Sequence, residues 1–198
     1  MEITTKQIGF AEKGRAEVLT AAVPDPAVGT VRVRLEYSAI SSGTERANLI
    51  GTVHNPVWPN TQGYSSSGIV TDVGPGVTKV RPGDRVALRW SVHAQVQAIT
   101  ENKVLRLADG VDMRAAALFH IASFPLAAIR KCRLEIGESA LVMGQGILGM
   151  LAIPLLRQAG AVPVIAADPV PEKREKALRL GADYALVPLS PDFPETVK

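Results

Sequence analysis

The hydrophobic pattern of the chain changes period once, near residue 110. Upstream, residues 30–37 (Thr-Val-Arg-Val-Arg-Leu-Glu-Tyr) alternate apolar and polar side chains, which predicts a half-buried strand. Residues 68–74 and 84–88 predict further strands, and Gly74-Pro-Gly76 and Pro82-Gly83-Asp84 carry strong turn chemistry. Many short strands punctuated in this way predict a β-rich barrel or sandwich over roughly the first 110 residues.

Downstream the period lengthens. Asp112 is placed to cap a helix running from Met113 to about Lys131, and Pro125 is expected to kink it by removing a backbone hydrogen bond. Gly137-Glu138 then turns into a short apolar strand at 140–143. A helix is expected over 147–158, a strand over 162–168, a charged helix over 172–180 and a strand over 184–187. This β-α-β-α-β order implies parallel strands joined by right-handed crossovers. Pro154, inside the first of these helices, departs from the local rule.

The strand at 140–143 runs into Gly144-x-Gly146-x-x-Gly149, the pattern of a dinucleotide-binding turn. The first glycine permits the tight turn, the second a close approach of pyrophosphate, and the third close packing of helix on strand. Pyrophosphate sits on the helix N-terminus, where unpaired N–H groups and the helix dipole favour anions. The binding set is therefore Gly144, Gln145, Gly146, Ile147, Leu148 and Gly149. A ribose-binding acid is expected about 20 residues further on. Asp168 lies 19 residues beyond Gly149, at the end of the second strand. A carboxylate there accepts hydrogen bonds from ribose hydroxyls and repels a 2′-phosphate, which favours NAD over NADP. Lys173 joins the cofactor-binding set, and together with Arg174 it keeps some NADP tolerance open. A simpler role for Asp168 is to cap the following helix.

Composition narrows the alternatives. The 198 residues are 46% hydrophobic and 21% charged, an ordinary globular balance. The net charge of +3 comes from scattered basic residues, and the densest run, Arg130-Lys131-Cys132-Arg133, reads as a solvated helix end, so no nucleic-acid partner is expected. One cysteine, Cys132, precludes an internal disulfide and any multi-cysteine zinc site. No signal pattern opens the sequence and no apolar run has membrane-spanning length, so a soluble cytoplasmic protein without membrane partners is expected.

Several segments together resemble the medium-chain dehydrogenase/reductase superfamily of alcohol dehydrogenases and quinone reductases. Ser42-Gly-Thr-Glu45 resembles its Cys-Gly-Thr-Asp segment. Gly63-Tyr-Ser-Ser-Ser-Gly68, with Val73-Gly-Pro-Gly-Val77 and Pro82-Gly-Asp-Arg-Val86, resembles its Gly-His-Glu-x-x-Gly segment and the turn that follows. Gly137 to Gly144 resembles the entry to its nucleotide domain. The resemblance implies an α/β plus β fold: a GroES-like β-barrel domain (1–112), a connecting helix (113–136) and the first half of a Rossmann doubly wound parallel sheet (137–198). It also implies roughly three more strands than the sequence contains, so a truncated chain is expected.

The departures from the family pattern are as informative. The positions that resemble the zinc ligands hold Ser42, Tyr64 and Phe119, and the Glu beside the family's His is Ser65. Zinc requires thiolate, imidazole or carboxylate ligands, so a zinc-free member is expected. A rearranged set of His54, His93 or His120 with Glu45 competes with the ordinary roles of scattered histidines. Without a Lewis acid, a carbonyl or alkoxide oxygen needs hydrogen-bonding partners. The resemblance suggests Thr44, at the position of a proton-relay hydroxyl, Tyr64, where a ligand would face the pocket, and His120, beside the lost third ligand. Their bland alternatives are a turn residue, a cleft wall and a core histidine. Ser123 corresponds to a small hydroxyl residue lying against the nicotinamide in relatives, and Glu45-Arg46 reads as a local ion pair.

The expected function is NAD-dependent, zinc-independent oxidation of an alcohol, or the reverse, on a small or medium substrate. Quinone or enoyl reduction with NAD(P)H and a non-catalytic dinucleotide-binding protein are the alternatives. A homo-oligomer is expected of the full-length form.

Overall fold

A computed structural model describes residues 3–197. The chain forms two compact units that divide between His120 and Ile121.

The first unit is built on β1 (Ile3–Glu12), β2 (Arg15–Val23), β3 (Thr30–Ser38), α1 (Ser42–Ile50), β4 (Asn60–Thr61), β5 (Ser65–Val73), β6 (Arg85–Arg89), β7 (Val96–Thr100), β8 (Val104–Arg106) and α2 (Met113–Ala116). One sheet has the order β7-β3-β5-β6-β8 and the other β2-β1-β4. An isolated bridge between Gln7 and Ala94 ties β1 to the segment entering β7. Among the described residues the strands do not close on themselves, so the expected barrel is an open pair of sheets.

In β3, Val31 and Val33 are fully buried and pack with Val70, Val86, Leu88 and Ile99. The alternation read from the sequence breaks at Arg32, which is also buried. A register shift between Arg32 and Val33 turns it inward, where Asp25 (2.7 Å), Asp72 (3.2 Å) and the Pro24 carbonyl (3.1 Å) receive its guanidinium. The partners make this burial tolerable.

The expected continuous helix from Met113 is interrupted at Ala117–Leu118, ahead of Pro125, and resumes as α3 (Phe119–Cys132). The cause is Ser65, a buried residue of β5. Its hydroxyl donates to the Ala117 carbonyl (2.6 Å) and accepts from the His120 N–H (3.2 Å). A side chain inserted into the hydrogen-bond ladder in this way ends or bends a helix. Two residues along the same strand face, Ser67 donates to the Met113 carbonyl (2.5 Å) and so holds the start of α2. Asp112 caps α2 by accepting from the N–H groups of Arg114 and Ala115, as expected from the sequence.

The second unit carries β9 (Ala140–Met143), α4 (Ile147–Gln158), β10 (Val164–Ala167), α5 (Pro171–Arg179), β11 (Tyr184–Leu186) and the short α6 (Phe193–Thr196). The strands are parallel in the order β11-β10-β9. Ile153, Leu156, Val164, Ala166 and Ala177 form its core. Ile153 and Leu156 bracket Pro154, and their burial on one face of α4 holds the helix continuous through the proline.

Ser65→Ala is expected to lower stability by about 1–3 kcal/mol, because the Ala117 carbonyl and the His120 N–H lose a buried partner. The shift of the urea unfolding midpoint measures it, and an unchanged midpoint would show that the helix break does not depend on Ser65.

Candidate functional site

In the first unit, Tyr64 ends the segment that leads into β5, and its carbonyl accepts from the Trp90 N–H (2.7 Å) just beyond β6. This backbone bond brings two aromatic side chains to the place where Ser65 fixes His120. The ring centroids lie 5.9 Å apart for Tyr64–His120, 4.8 Å for Trp90–His120 and 6.3 Å for Tyr64–Trp90, and both contacts to His120 are edge-on. Aromatic pairs favour such geometry. Trp90 was not among the residues singled out from the sequence. Its backbone is left-handed (φ 57°), which is uncommon for a bulky side chain and costs on the order of 1–3 kcal/mol. It is 57% exposed, whereas His120 is 8% exposed. A wide aromatic side chain in a strained conformation, edge-on to a buried imidazole, makes this cluster a candidate site.

Burial holds the His120 imidazole below its ordinary pKa, and the Arg89 guanidinium adds to the depression. The ring is therefore neutral at neutral pH, with one nitrogen able to accept a proton.

Thr44 lies in the first turn of α1, not in a turn between strands, and its Oγ1 accepts from the Ser41 hydroxyl (3.3 Å). Glu45 does not pair with Arg46. It is buried, accepts the Ser41 N–H through Oε1 (2.8 Å) and meets His93 Nε2 through Oε2 (3.1 Å). Adjacent residues of a helix face different directions, so a Glu45 turned into the protein leaves Arg46 on another face.

Ser42, Tyr64 and Phe119, at the positions that resemble zinc ligands, offer a hydroxyl, a phenol and a hydrocarbon ring. That donor set does not fit zinc. Among the described residues no group of three or more His, Cys, Asp or Glu side chains gathers to hold a metal.

The second unit holds the glycine turn. Gly144 is left-handed (φ 86°), as the reversal from β9 into α4 requires. A Cβ on Gly149 would sit 2.0 Å from the Gly144 carbonyl oxygen, so only glycine lets α4 start this close to the strand. A Cβ on Gly146, the N-cap of α4, would meet nothing within 4 Å, and the helix N-terminus is open to a ligand there. Gln145 is fully buried beneath the turn, with Nε2 donating to the Val142 carbonyl (2.9 Å). Ile147 and Leu148 form the first turn of α4, where backbone N–H groups lack helical partners.

Asp168 follows β10 and is 4% exposed. One carboxylate oxygen accepts the Gln145 N–H (2.7 Å) and the other accepts the Val170 N–H (2.9 Å). Asp168 therefore ties the glycine turn to the connection after β10, whereas the N-cap of α5 is Val170. Lys173 Nζ stands 3.8 Å from the carboxylate, and Arg174 donates to the carbonyls of Asp168 and Pro169. Burial alone would raise the Asp168 pKa. The two N–H donors and the neighbouring Lys173 and Arg174 outweigh it, and the carboxyl lies below its ordinary range. Each oxygen keeps a second acceptor site. Ser123, in α3, borders a shallow groove of the same unit with Leu126 and Arg130.

Residues 27–114 match the alcohol dehydrogenase GroES-like domain. Over 195 aligned residues the chain is 27% identical to (R,R)-butanediol dehydrogenase of Bacillus subtilis, covering 80% of this chain and 56% of that protein. Both findings support the resemblance of the chain to the medium-chain dehydrogenase/reductase superfamily. The chain spans little more than half the length of this curated relative. Two solved structures of the superfamily's fold illustrate the likeness. A short chain alcohol dehydrogenase from Escherichia coli CFT073, complexed with NADH, superposes with a TM-score of 0.87 at 22% identity, over 98% of this chain and 65% of that one. Escherichia coli quinone oxidoreductase complexed with NADPH gives 0.86 at 24% identity, over 98% and 61%.

The depressed pKa of His120 sets a sign for pH dependence. An unfolded histidine titrates near about pH 6.5, so below that pH the unfolded chain takes up a proton that folded His120 refuses until a lower pH. Stability should be full above about pH 6.5 and decline as the pH falls toward the folded value. Urea midpoints at stepped pH are expected to show this slope, and His120→Gln should flatten it. An equal slope in the variant would place the titration elsewhere.

Proposed function

We propose that this chain is the substrate domain and half of the cofactor domain of a zinc-independent oxidoreductase that interconverts an alcohol and a carbonyl with NAD(H). The observation that carries the reading is the Asp168 carboxylate bonded to the Gln145 N–H of the glycine turn. This bond joins the two parts of a dinucleotide site, the pyrophosphate turn and the ribose acceptor, in one preorganised unit.

A bound nicotinamide dinucleotide supplies the hydride acceptor or donor. The open N–H groups at Gly146, Ile147 and Leu148 receive pyrophosphate at the start of α4. Asp168 accepts from ribose hydroxyls through its remaining acceptor sites, and its permanent charge disfavours a 2′-phosphate. Arg174 is committed to two backbone carbonyls, which leaves Lys173 as the nearby cation for a phosphate. Solved relatives of the fold carry either NADH or NADPH, so the preference is a property of these residues and not of the fold.

In the first unit, neutral His120 takes or returns the substrate oxygen's proton, and the Tyr64 phenol donates to that oxygen in place of a metal. Trp90 provides an apolar wall that favours a flat or hydrocarbon substrate surface. Thr44 is a further hydroxyl for proton transfer, and Ser123 is assigned to the nicotinamide side. The complete enzyme is expected to be a soluble, cytoplasmic homo-oligomer with a small-molecule substrate and no nucleic-acid partner. Among the described residues no helix is long and apolar enough to cross a membrane.

Titration of the chain with NADH and NADPH, followed by nicotinamide fluorescence, tests the reading. NADH is expected to bind more tightly, and Asp168→Ala should narrow the difference by roughly 10-fold or more while weakening NADH itself. An unchanged preference would remove Asp168 from the ribose site, and no binding of either nucleotide would overturn the reading of the turn.

A further inference from the structure

A second constellation lies in the first unit. Ser38, at the exposed end of β3, places Oγ 2.8 Å from His93 Nδ1, and His93 Nε2 lies 3.1 Å from Glu45 Oε2. His93 and Glu45 are buried, at 8% and 9% exposure. Their burial fixes the protons. A carboxylate facing Nε2 requires a proton on that nitrogen, so in the neutral ring Nδ1 is the acceptor and the Ser38 hydroxyl is the donor. Glu45 is itself held by the Ser41 N–H (2.8 Å) and cannot swing away without leaving a donor unpaired.

The hydroxyl faces a groove of about 300 Å³ lined by Ser38, His93, Lys6, Gln95, Ile8 and Val18, among others. Gln95 Oε1 accepts the Lys6 backbone N–H (3.3 Å), which leaves the Gln95 amide N–H₂ as a donor, and Lys6 lines the same groove. Ile8 and Val18 are partly exposed apolar surface on the other side. Nucleophile, base, orienting carboxylate, candidate oxyanion donors and a small apolar wall thus share one open groove, the combination that acyl-transfer chemistry requires.

We propose that Ser38, His93 and Glu45 form an acyl-transfer site for short-chain carboxylic esters, separate from the dinucleotide chemistry. Ser38 Oγ attacks the acyl carbon while its proton passes to His93 Nδ1. The carbon–oxygen bond to the leaving alkoxide breaks, and the leaving oxygen takes that proton from His93. Water then attacks the acyl-Ser38 ester and gives a proton to His93. The carboxylic acid departs and the proton returns to Ser38 Oγ. Lys6 and Gln95 face the oxygen that becomes negative in each step. Glu45 is a positioning residue, which orients the ring and stabilises the imidazolium.

The test uses the full chain, a fluorophosphonate probe and p-nitrophenyl acetate. Single modification of the wild type, located at Ser38 by peptide mass and absent in Ser38→Ala, is expected. Ser38→Ala should retain the wild-type NADH titration, which shows that the variant is folded. His93→Gln should slow labelling roughly 100-fold or more, consistent with loss of a general base. Glu45→Gln should lower kcat for p-nitrophenyl acetate with little change in KM, a split that a merely structural Glu45 would not produce. An unlabelled wild type, labelling that survives Ser38→Ala, or a kcat unmoved in Glu45→Gln would each overturn the proposal.

Discussion

Removing a polar group from water costs free energy unless a partner takes it, and both units of this protein are arranged around a few such groups. Ser65 is buried because β5 lies in the middle of its sheet, and it finds partners only by entering the α2–α3 ladder. The helix breaks there, and the break sets where His120 stands against Tyr64 and Trp90. Asp168 is buried at the end of β10 and takes N–H groups from both the glycine turn and the chain leading to α5. Glu45 is buried in the first turn of α1 and takes the Ser41 N–H and His93. In each case the group that would otherwise destabilise the fold fixes the geometry of a candidate site.

The second unit was the more legible. The 140–143 strand and the 147–158 helix were read at the bounds found, because a glycine turn separates two segments of different period and each signal is local. Strand β3 and the parallel order of β9, β10 and β11 were readable for the same reason. What escaped depends on distant residues. No local pattern announces the break at Ala117–Leu118, since its cause is 52 residues away in sequence. Helix α1 has no signal in the sequence, because Gly43 sits in its first turn and its only buried residue is the charged Glu45, not an apolar stripe. The barrel expected from many short strands requires edge pairing, and composition does not encode which edges meet.

The candidate site shows the same division. The turn glycines carry their reason in the chain itself: a left-handed Gly144 and a Gly149 with no space for a side chain. Asp168 was legible by spacing, but its bond to Gln145 was not, and that bond changes its part. Through that bond it holds the glycine turn in place. Trp90 was invisible because nothing in a linear pattern reports a left-handed backbone at a tryptophan.

The zinc-free chemistry proposed above, with Ser42, Tyr64 and Phe119 at the positions that resemble zinc ligands, fits this picture physically. A metal site concentrates charge and demands ligands that a second layer of partners must orient. In its place the first unit has a neutral, desolvated imidazole edge-on to two aromatic rings, with burial as the first cause of its depressed pKa. Such a pocket stabilises a developing oxyanion only through the few hydrogen-bond donors aimed at it, a weaker means than a divalent cation. It also presents apolar surface at Trp90. For the proposed function, this balance favours a substrate whose binding derives from hydrocarbon or ring contact over a small polar alcohol that depends on metal coordination.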